Sequence, residues 1–193
     1  RSEMKLPRAL RQLMHRRIVM VASVVLAAIV VLAIGAPWFA SFDPNDTAVL
    51  DRLKGPSGEH LMGTDELGRD LYARIVHGAR YSLAIAAMTA IGSVVCGTIL
   101  GLVAGFFRKL DTPLMRVVDA MMSFPDILLA IALVAILGPT LVNVVLALVL
   151  VYTPRVARVV RASTLVIREL LFVEAVRALG VRTSRILWRH ILP

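Results

Sequence analysis

The sequence has 193 residues, of which 58% are hydrophobic and 18% are charged, with a formal net charge of +9. Soluble domains have about a quarter charged residues, so this composition excludes an ordinary soluble domain and predicts an integral membrane protein. The net charge alone would also fit a nucleic-acid-binding protein. The single cysteine, Cys96, excludes a disulfide within the chain, and its apolar surroundings predict a small buried side chain.

The first membrane span follows a basic N-terminal segment. Residues 1–17 carry six Lys or Arg against one Glu, and a run of 25 uncharged residues follows them. A membrane helix needs about 20 apolar residues, so we predict a first span over 18–42. A second uncharged run, 27 residues long, predicts a second span over 81–107.

The loop over 43–80 is too long and too polar for a simple connector. Its opening "FDPNDT" predicts a turn, because Asp and Asn bond their own backbone and Pro fixes φ. Further on, Thr64 or Asp65 can cap an amphipathic helix that lies at the outer interface, either as an anchor or as a seal or docking element. We predict no metal site, because the His and Asp residues of this loop match no compact ligand pattern. These residues are His60, Asp65, Asp70 and His77.

The third uncharged run contains Gly138-Pro139, a strong turn signal, and therefore predicts parts of two spans. A short loop over 108–114 precedes the third span, predicted as one helix over 115–137. The fourth span is predicted over 140–157. A cytoplasmic helical region over 158–193 follows it.

Charge is distributed unevenly among the segments between these spans. Residues 1–17, 108–116 and 155–193 carry six, three and eight Lys or Arg against one, one and two acidic residues. Residues 43–80 carry five Lys or Arg against seven acidic residues. Because cytoplasmic flanks collect Lys and Arg, we predict both termini in the cytoplasm and the 43–80 loop outside. This explains the net charge without nucleic acid.

Several polar residues fall within or beside the third and fourth spans. Charged residues inside a bilayer usually face a cavity or mark a pathway, and a proline loosens a helix. Arg116 is predicted to pair with Asp119 on one helix face. The residues we regard as candidates for pathway lining or for a hinge are Asp119, Ser123, Pro125, Asp126 and Asn143.

Two further patterns predict how helices meet other surfaces. Gly97, Gly101 and Gly105 recur every four residues, which predicts close helix packing within the chain or against a second subunit. Three arginines after the fourth span, at positions 155, 158 and 161, are predicted to reach the cytoplasmic interface. The chain contains no recognisable catalytic or phosphate-binding motif, so we predict that it is not an enzyme.

The last stretch, "EAVRALGVRTSRILWRHILP", predicts a helix, a bend and a second short helix. Gly180 is predicted to take the left-handed conformation that ends a helix. Thr183 or Ser184 can cap the second helix. Its apolar side would be formed by Ile186, Leu187 and Ile191.

This stretch resembles the E-A-A loop of ABC-importer membrane subunits. Glu174, Ala175, Gly180, Leu192 and Pro193 fit the pattern, while Val176 stands where an alanine is usual. "HLMGTDELGRDLYARIVHGARYSL", "MRVVDAMMSFPDILLAIALVAILGP" and "RHILP" look like segments of the peptide and nickel branch, in its second, C-type permease. The resemblance covers nearly the whole chain.

The resemblance implies an all-α type I importer transmembrane domain in a bacterial inner membrane. It implies partnership with a second permease, two cytoplasmic ATP-binding subunits and an extracytoplasmic binding protein for peptides or similar solutes. ATP and Mg²⁺ would be used by the ATPases, and this chain would bind no cofactor. Two further membrane helices are expected beyond the four predicted here. The implied ATPase-coupling residues are Glu174, Ala175, Arg177, Ala178, Leu179, Gly180, Val181, Arg182 and Thr183.

Two other functions remain open from the residues themselves. An ion-coupled carrier or channel would need a charged or discontinuous element at mid-membrane, and Pro125 with Asp126 is the candidate. A membrane-anchored scaffold would bind anionic lipid through its basic tail. In that case the arginines of the tail would matter and Gly180 would not.

Overall fold

The computed structural model describes residues 17–191, and every structural statement below concerns those residues. The chain divides into two compact units, Arg1–Ala84 and Ile85–Pro193. The described residues form helices and turns, and their β-type pairing is an isolated bridge between Thr64 and Asp70. The predicted all-α class is therefore confirmed.

Parts of two predicted elements fall outside the described residues. The basic segment over 1–17 lies outside them except for its last residue. Leu192 and Pro193, the last two residues of the E-A-A pattern, also lie outside them.

The first described helix of this unit is α1, Arg17–Ile34, which is apolar on all sides. A short helix α2, Ala36–Phe39, follows it after Gly35, with Pro37 in its first turn. The predicted single helix over 18–42 is therefore shorter than expected. Pro37 is the reason, because its ring favours the start of a helix over the interior of one.

The loop after α2 is held together by its own polar side chains. Asn45 N–H donates to Asp43 Oδ1 over 2.7 Å, which confirms the predicted turn at the start of the loop. A 3-10 turn, Val49–Asp51, follows. Thr64 Oγ1 accepts from Lys54 N–H over 2.9 Å and donates to the carbonyl of Asp51.

Asp65 organises the second half of this loop. Its carboxylate accepts from the N–H groups of Leu67 and Arg69 and from the side chains of Arg69 and Arg74. Burial raises the pKa of Asp65, but these backbone and guanidinium donors outweigh burial and lower the pKa to about 2. The contribution of Asp65 to folding stability is therefore complete above the ordinary carboxyl pKa and is lost as the pH falls toward 2.

Helix α3, Leu71–Phe106, is a single helix of 36 residues that contains the predicted second span. Asp70 caps it, accepting from Ala73 N–H over 2.7 Å. The predicted start at Thr64 or Asp65 is wrong, because the loop uses both of their side chains. Gly68, at a φ of +75°, turns the chain between them and the helix.

The histidine side chains of this loop make local hydrogen bonds. His60 Nδ1 lies 2.9 Å from Asp70 Oδ2, with both side chains buried. His77 Nδ1 lies 3.0 Å from the carbonyl of Ala73. Within residues 17–191, no three His, Cys, Asp or Glu side chains converge on a metal-sized site.

We expect Asp70→Ala to loosen this loop in the detergent-purified protein. The change removes a helix cap worth about 1 kcal/mol and leaves the buried His60 ring nitrogen without its partner. Trypsin should then cut faster after Arg52 or Lys54. The matched control is Asp46→Ala, at an exposed aspartate of the same loop, and equal cleavage rates in the two variants would contradict the expectation.

The second unit contains helices α4, Arg108–Met122, α5, Asp126–Leu137, and α6, Leu141–Arg168. Helices α4 and α5 meet at 92° across residues 123–125. The predicted single helix over 115–137 is therefore wrong. Pro125 explains the break, because it lacks an N–H and disfavours the α conformation in the residue before it.

The glycines of α3 pack directly against α6, which confirms their predicted role and places their partner within the chain. An added Cβ would lie 2.6 Å from Val149 at Gly92, 2.5 Å from Val156 at Gly97 and 2.6 Å from Thr164 at Gly105. The contacts advance in the same direction along both helices, so α3 and α6 run parallel. In contrast, Cys96, predicted to be buried, is exposed.

Three of these helices are long and apolar enough to cross a membrane, namely α1, α3 and α6. The pair α4 and α5 makes a fourth crossing if the bent pair counts as one span. This result rests on length and composition. Its count of up to four agrees with the four spans predicted from the uncharged runs.

Candidate coupling site

The segment after α6 folds as a short helix, a bend and a second short helix. Helix α7 is Leu171–Ala178 and helix α8 is Thr183–Ile186, continued by a π-helical turn, Leu187–Ile191. Gly180 lies between the helices with a φ of +75°, as predicted. Val181 N–H donates to the carbonyl of Val176 over 3.4 Å, which closes the bend. We call residues 171–191 the elbow.

The start of α8 differs slightly from the prediction. Thr183 is its first helical residue, so it does not precede the helix as a cap. The carbonyl of Arg182 instead accepts from the N–H groups of Arg185 and Ile186, at 2.9 and 3.2 Å. Arg182 therefore occupies the position that Thr183 or Ser184 was expected to hold.

The inner side of the elbow is an apolar anchor. Val173, Ile186 and Ile191 are 0%, 1% and 5% exposed and cluster with Leu102 of α3. The predicted apolar side of the second helix is thus confirmed, with Leu187 packed beside it. The remaining partly buried members of this cluster are Phe106, Val160, Ile167, Val176 and Val181. Movement of the elbow would therefore act directly on α3 and α6.

The outer side of the elbow is open. Leu171 and Leu179 are 83% and 82% exposed, and Trp188 is 63% exposed. Val181 is partly buried, and Arg177 lies in α7. The other predicted coupling residues are all exposed, namely Glu174, Ala175, Ala178, Leu179, Gly180, Arg182 and Thr183. A surface fixed on one side and open on the other is suited to bind a partner.

A polar junction that the sequence did not reveal joins the end of α3, the start of α4 and the end of α6, beside the elbow. Arg168 donates to the carbonyl of Gly105 over 2.5 Å and to Glu169 over 3.0 Å, and Arg108 lies 3.5 Å from Glu169. Arg168 lowers the pKa of Glu169. A cleft of about 380 Å³ beside this junction opens toward Glu174. The neighbouring opposite charges of Arg168 and Glu169 were the signal that the sequence offered for this junction. Arg108, the second partner of Glu169, lies 61 residues away in the sequence.

Three arginines of α6 bind aspartates of α4 and α5. We call these pairs the arginine ladder, which joins Arg155 to Asp126, Arg158 to Asp119 and Arg161 to Asp111. Asp119 accepts from Arg158 over 2.6 Å, so the predicted pair with Arg116 is wrong. All three arginines are therefore paired with carboxylates, and their predicted approach to the cytoplasmic interface stays a prediction.

Two rungs of this ladder lie on opposite sides of the break at 123–125. Asp119 belongs to α4 and Asp126 begins α5. Between them, Ser123 Oγ donates to the carbonyl of Ala120 over 2.6 Å, and Phe124 is 61% exposed. Helix α6 therefore holds both arms of the bent pair.

Asn143 secures the turn between α5 and α6. Its Nδ2 donates to the carbonyls of Leu137 and Gly138, at 2.6 and 3.1 Å. Its backbone N–H donates to Thr140 Oγ1 over 3.2 Å, which caps α6. Gly138 has a φ of +93°. These hydrogen bonds satisfy polar backbone groups of a tight turn in an apolar setting. Asn143 therefore has a structural role in this chain.

Two protein families match the sequence. Residues 97–193 match the family described as "Binding-protein-dependent transport system inner membrane component". Residues 6–56 match the family described as "N-terminal TM domain of oligopeptide transport permease C". One match falls within each unit, and the first spans half of the chain.

Curated relatives are similar over almost the whole chain. A putative peptide transport system permease protein of Brucella suis is 49% identical over 183 residues, 95% of this chain and 62% of the relative. A dipeptide transport system permease protein of Alkalihalophilus pseudofirmus is 42% identical over 96% of this chain and 61% of its own length. A glutathione transport system permease protein of Escherichia coli is 40% identical over 95% and 61%. The chain thus spans less than two thirds of these relatives.

Proposed function

Because the chain belongs to the family of inner membrane components of binding-protein-dependent transport systems, we propose that it is a permease subunit of an ATP-driven importer. Its cargo would be peptides or related small solutes, as the names of the peptide, dipeptide and glutathione permeases among its relatives suggest. The elbow carries this proposal, because its inner side is fixed to two helices while its outer side is exposed.

Charge and helix direction support the arrangement in the membrane that we propose. The basic segments 1–17 and 108–116 and the elbow would lie in the cytoplasm, and the loop over 43–80 outside. The parallel packing of α3 and α6 supports this arrangement. Two parallel spans need a return crossing between them, which α4 and α5 would supply.

Coupling would pass from a cytoplasmic ATPase through the elbow to the membrane helices. Two ATPases would hydrolyse ATP with Mg²⁺, and each would bind one of the two permease subunits. Closure of the ATPases would move the elbow, and its buried residues would carry α3 and α6 with it. A binding protein outside would deliver the solute, and access would alternate between the two sides of the membrane.

The test is purification of the tagged chain with its natural partners, followed by reconstitution into lipid vesicles. We expect a second permease and ATP-binding subunits to co-purify, and we expect dipeptide uptake to require ATP hydrolysis and the binding protein. Uptake driven by an ion gradient without ATP would instead indicate a carrier. Binding to anionic vesicles without any uptake would indicate a scaffold.

A further inference from the structure

The first rung of the arginine ladder lies at membrane depth. Gly97 of α3 contacts Val156, the residue after Arg155. Gly97 is also the seventeenth residue of the 27 uncharged residues between Arg80 and Arg108. The rise of a helix places it about 16 Å from Arg108 in a run of about 40 Å. The hydrocarbon core is about 30 Å thick, so its position within this run can vary by about 10 Å. For every such position, Gly97 lies within the core, about 6 to 16 Å from its cytoplasmic boundary.

Both members of this rung are open in the chain. The side chain of Arg155 is 59% exposed and that of Asp126 is 28% exposed. Charged side chains at this depth face water or protein, because exposure to lipid is too costly. The face that carries Arg155 and Asp126 therefore does not face lipid.

An apolar groove continues from this rung along the same two helices. Ala130 and Val134 follow Asp126 at four-residue intervals on α5, and Leu148 and Val144 precede Arg155 at helical spacing on α6. The groove has a volume of about 450 Å³. Its lining is completed by Ile131, Ala135 and Pro139. This volume lies within the range of sites for small ligands.

We infer that this groove is part of the water-filled translocation pathway and binds a small zwitterionic peptide with apolar side chains. Arg155 would contact the carboxylate of the peptide and Asp126 its ammonium group, while the groove would receive its apolar side chains. Opposite charges at one end of an apolar groove match the chemistry of such a cargo. This inference rests on the proposed function and names the cargo contacts within it.

The first test is accessibility of the groove in the assembled transporter. In a Cys96→Ala background, Val134→Cys lines the groove, whereas Ile136→Cys is 81% exposed on the same helix and does not line it. A membrane-impermeant, charged thiol reagent should label Val134→Cys about tenfold faster or more, because only a hydrated thiol ionises and reacts. Labelling should be measured with and without an ATP analogue. Equally slow labelling of both variants in both states would overturn the inference.

The second test separates cargo contact from a structural ion pair. Arg155→Gln and Asp126→Asn should each raise the apparent KM for dipeptide uptake about tenfold, since each loses one charge-assisted contact. The exchanged pair, Arg155→Asp with Asp126→Arg, keeps an ion pair but reverses its polarity, and we expect it not to restore uptake. Full recovery would show that the pair is structural and would overturn the inference.

The two tests also separate this inference from the proposed function. If the wild-type complex shows no ATP-dependent uptake of any peptide, the proposed function fails, whatever the labelling shows. If the wild type imports dipeptide while Val134→Cys stays as unreactive as Ile136→Cys, the function stands and the groove is covered by protein.

Discussion

Replacing Gly180 by aspartate is expected to leave the transporter assembled and to uncouple its dipeptide uptake from ATP hydrolysis. Gly180 has a φ of +75°, and no atom lies within 4 Å of an added Cβ. The fold therefore meets no clash and loses about 1 kcal/mol to backbone strain. The new carboxylate, however, stands at the bend of the outer surface that would face the ATPase. Uptake and ATP hydrolysis should be measured together in vesicles.

Gly180→Asn is the matched control for this prediction. Asparagine has nearly the same shape as aspartate and tolerates the left-handed conformation, but it carries no charge. We expect it to keep most of the uptake and to shift thermal stability as the aspartate variant does. Normal uptake by Gly180→Asp, with the ATPases still bound, would contradict the proposed role of the elbow.

Replacing Gly101 by alanine is expected to destabilise the packing of α3 on α6. The added Cβ would lie 2.6 Å from the carbonyl oxygen of Ala157 and 2.7 Å from Val160 Cβ. A backbone oxygen cannot rotate away as a side chain can, so the two helices must separate. Overpacking of this kind costs about 1 to 3 kcal/mol. The measurement is the thermal midpoint of the purified protein in detergent, followed by uptake in vesicles.

Gly78→Ala provides a control in the same helix. An added Cβ at Gly78 meets no atom within 4 Å, and alanine favours a helix over glycine by about 1 kcal/mol. The same substitution should therefore raise the midpoint at 78 and lower it at 101. A shift of the same sign at both positions would show that helix propensity, and not contact with α6, decides the effect.

The sequence by itself determined the features that depend on local chemistry. Long uncharged runs give apolar helices wherever they occur, so α1, α3 and α6 could be predicted from hydropathy. Gly180 could be predicted because a left-handed residue within a helical pattern is a local requirement. The small-residue face of Gly97, Gly101 and Gly105 likewise predicted close packing, though not its partner.

The tertiary structure decided which distant groups meet. Asp119 could pair with Arg116 one turn away, but it binds Arg158 across 39 residues, because α6 packs against α4. Asp70, and not Thr64 or Asp65, caps α3, since the loop uses the other two side chains. Pro125 predicted a weak point, but the 92° bend depends on contacts that hold both arms. A local pattern limits which bonds a residue can form, and only the packing of remote helices selects among them.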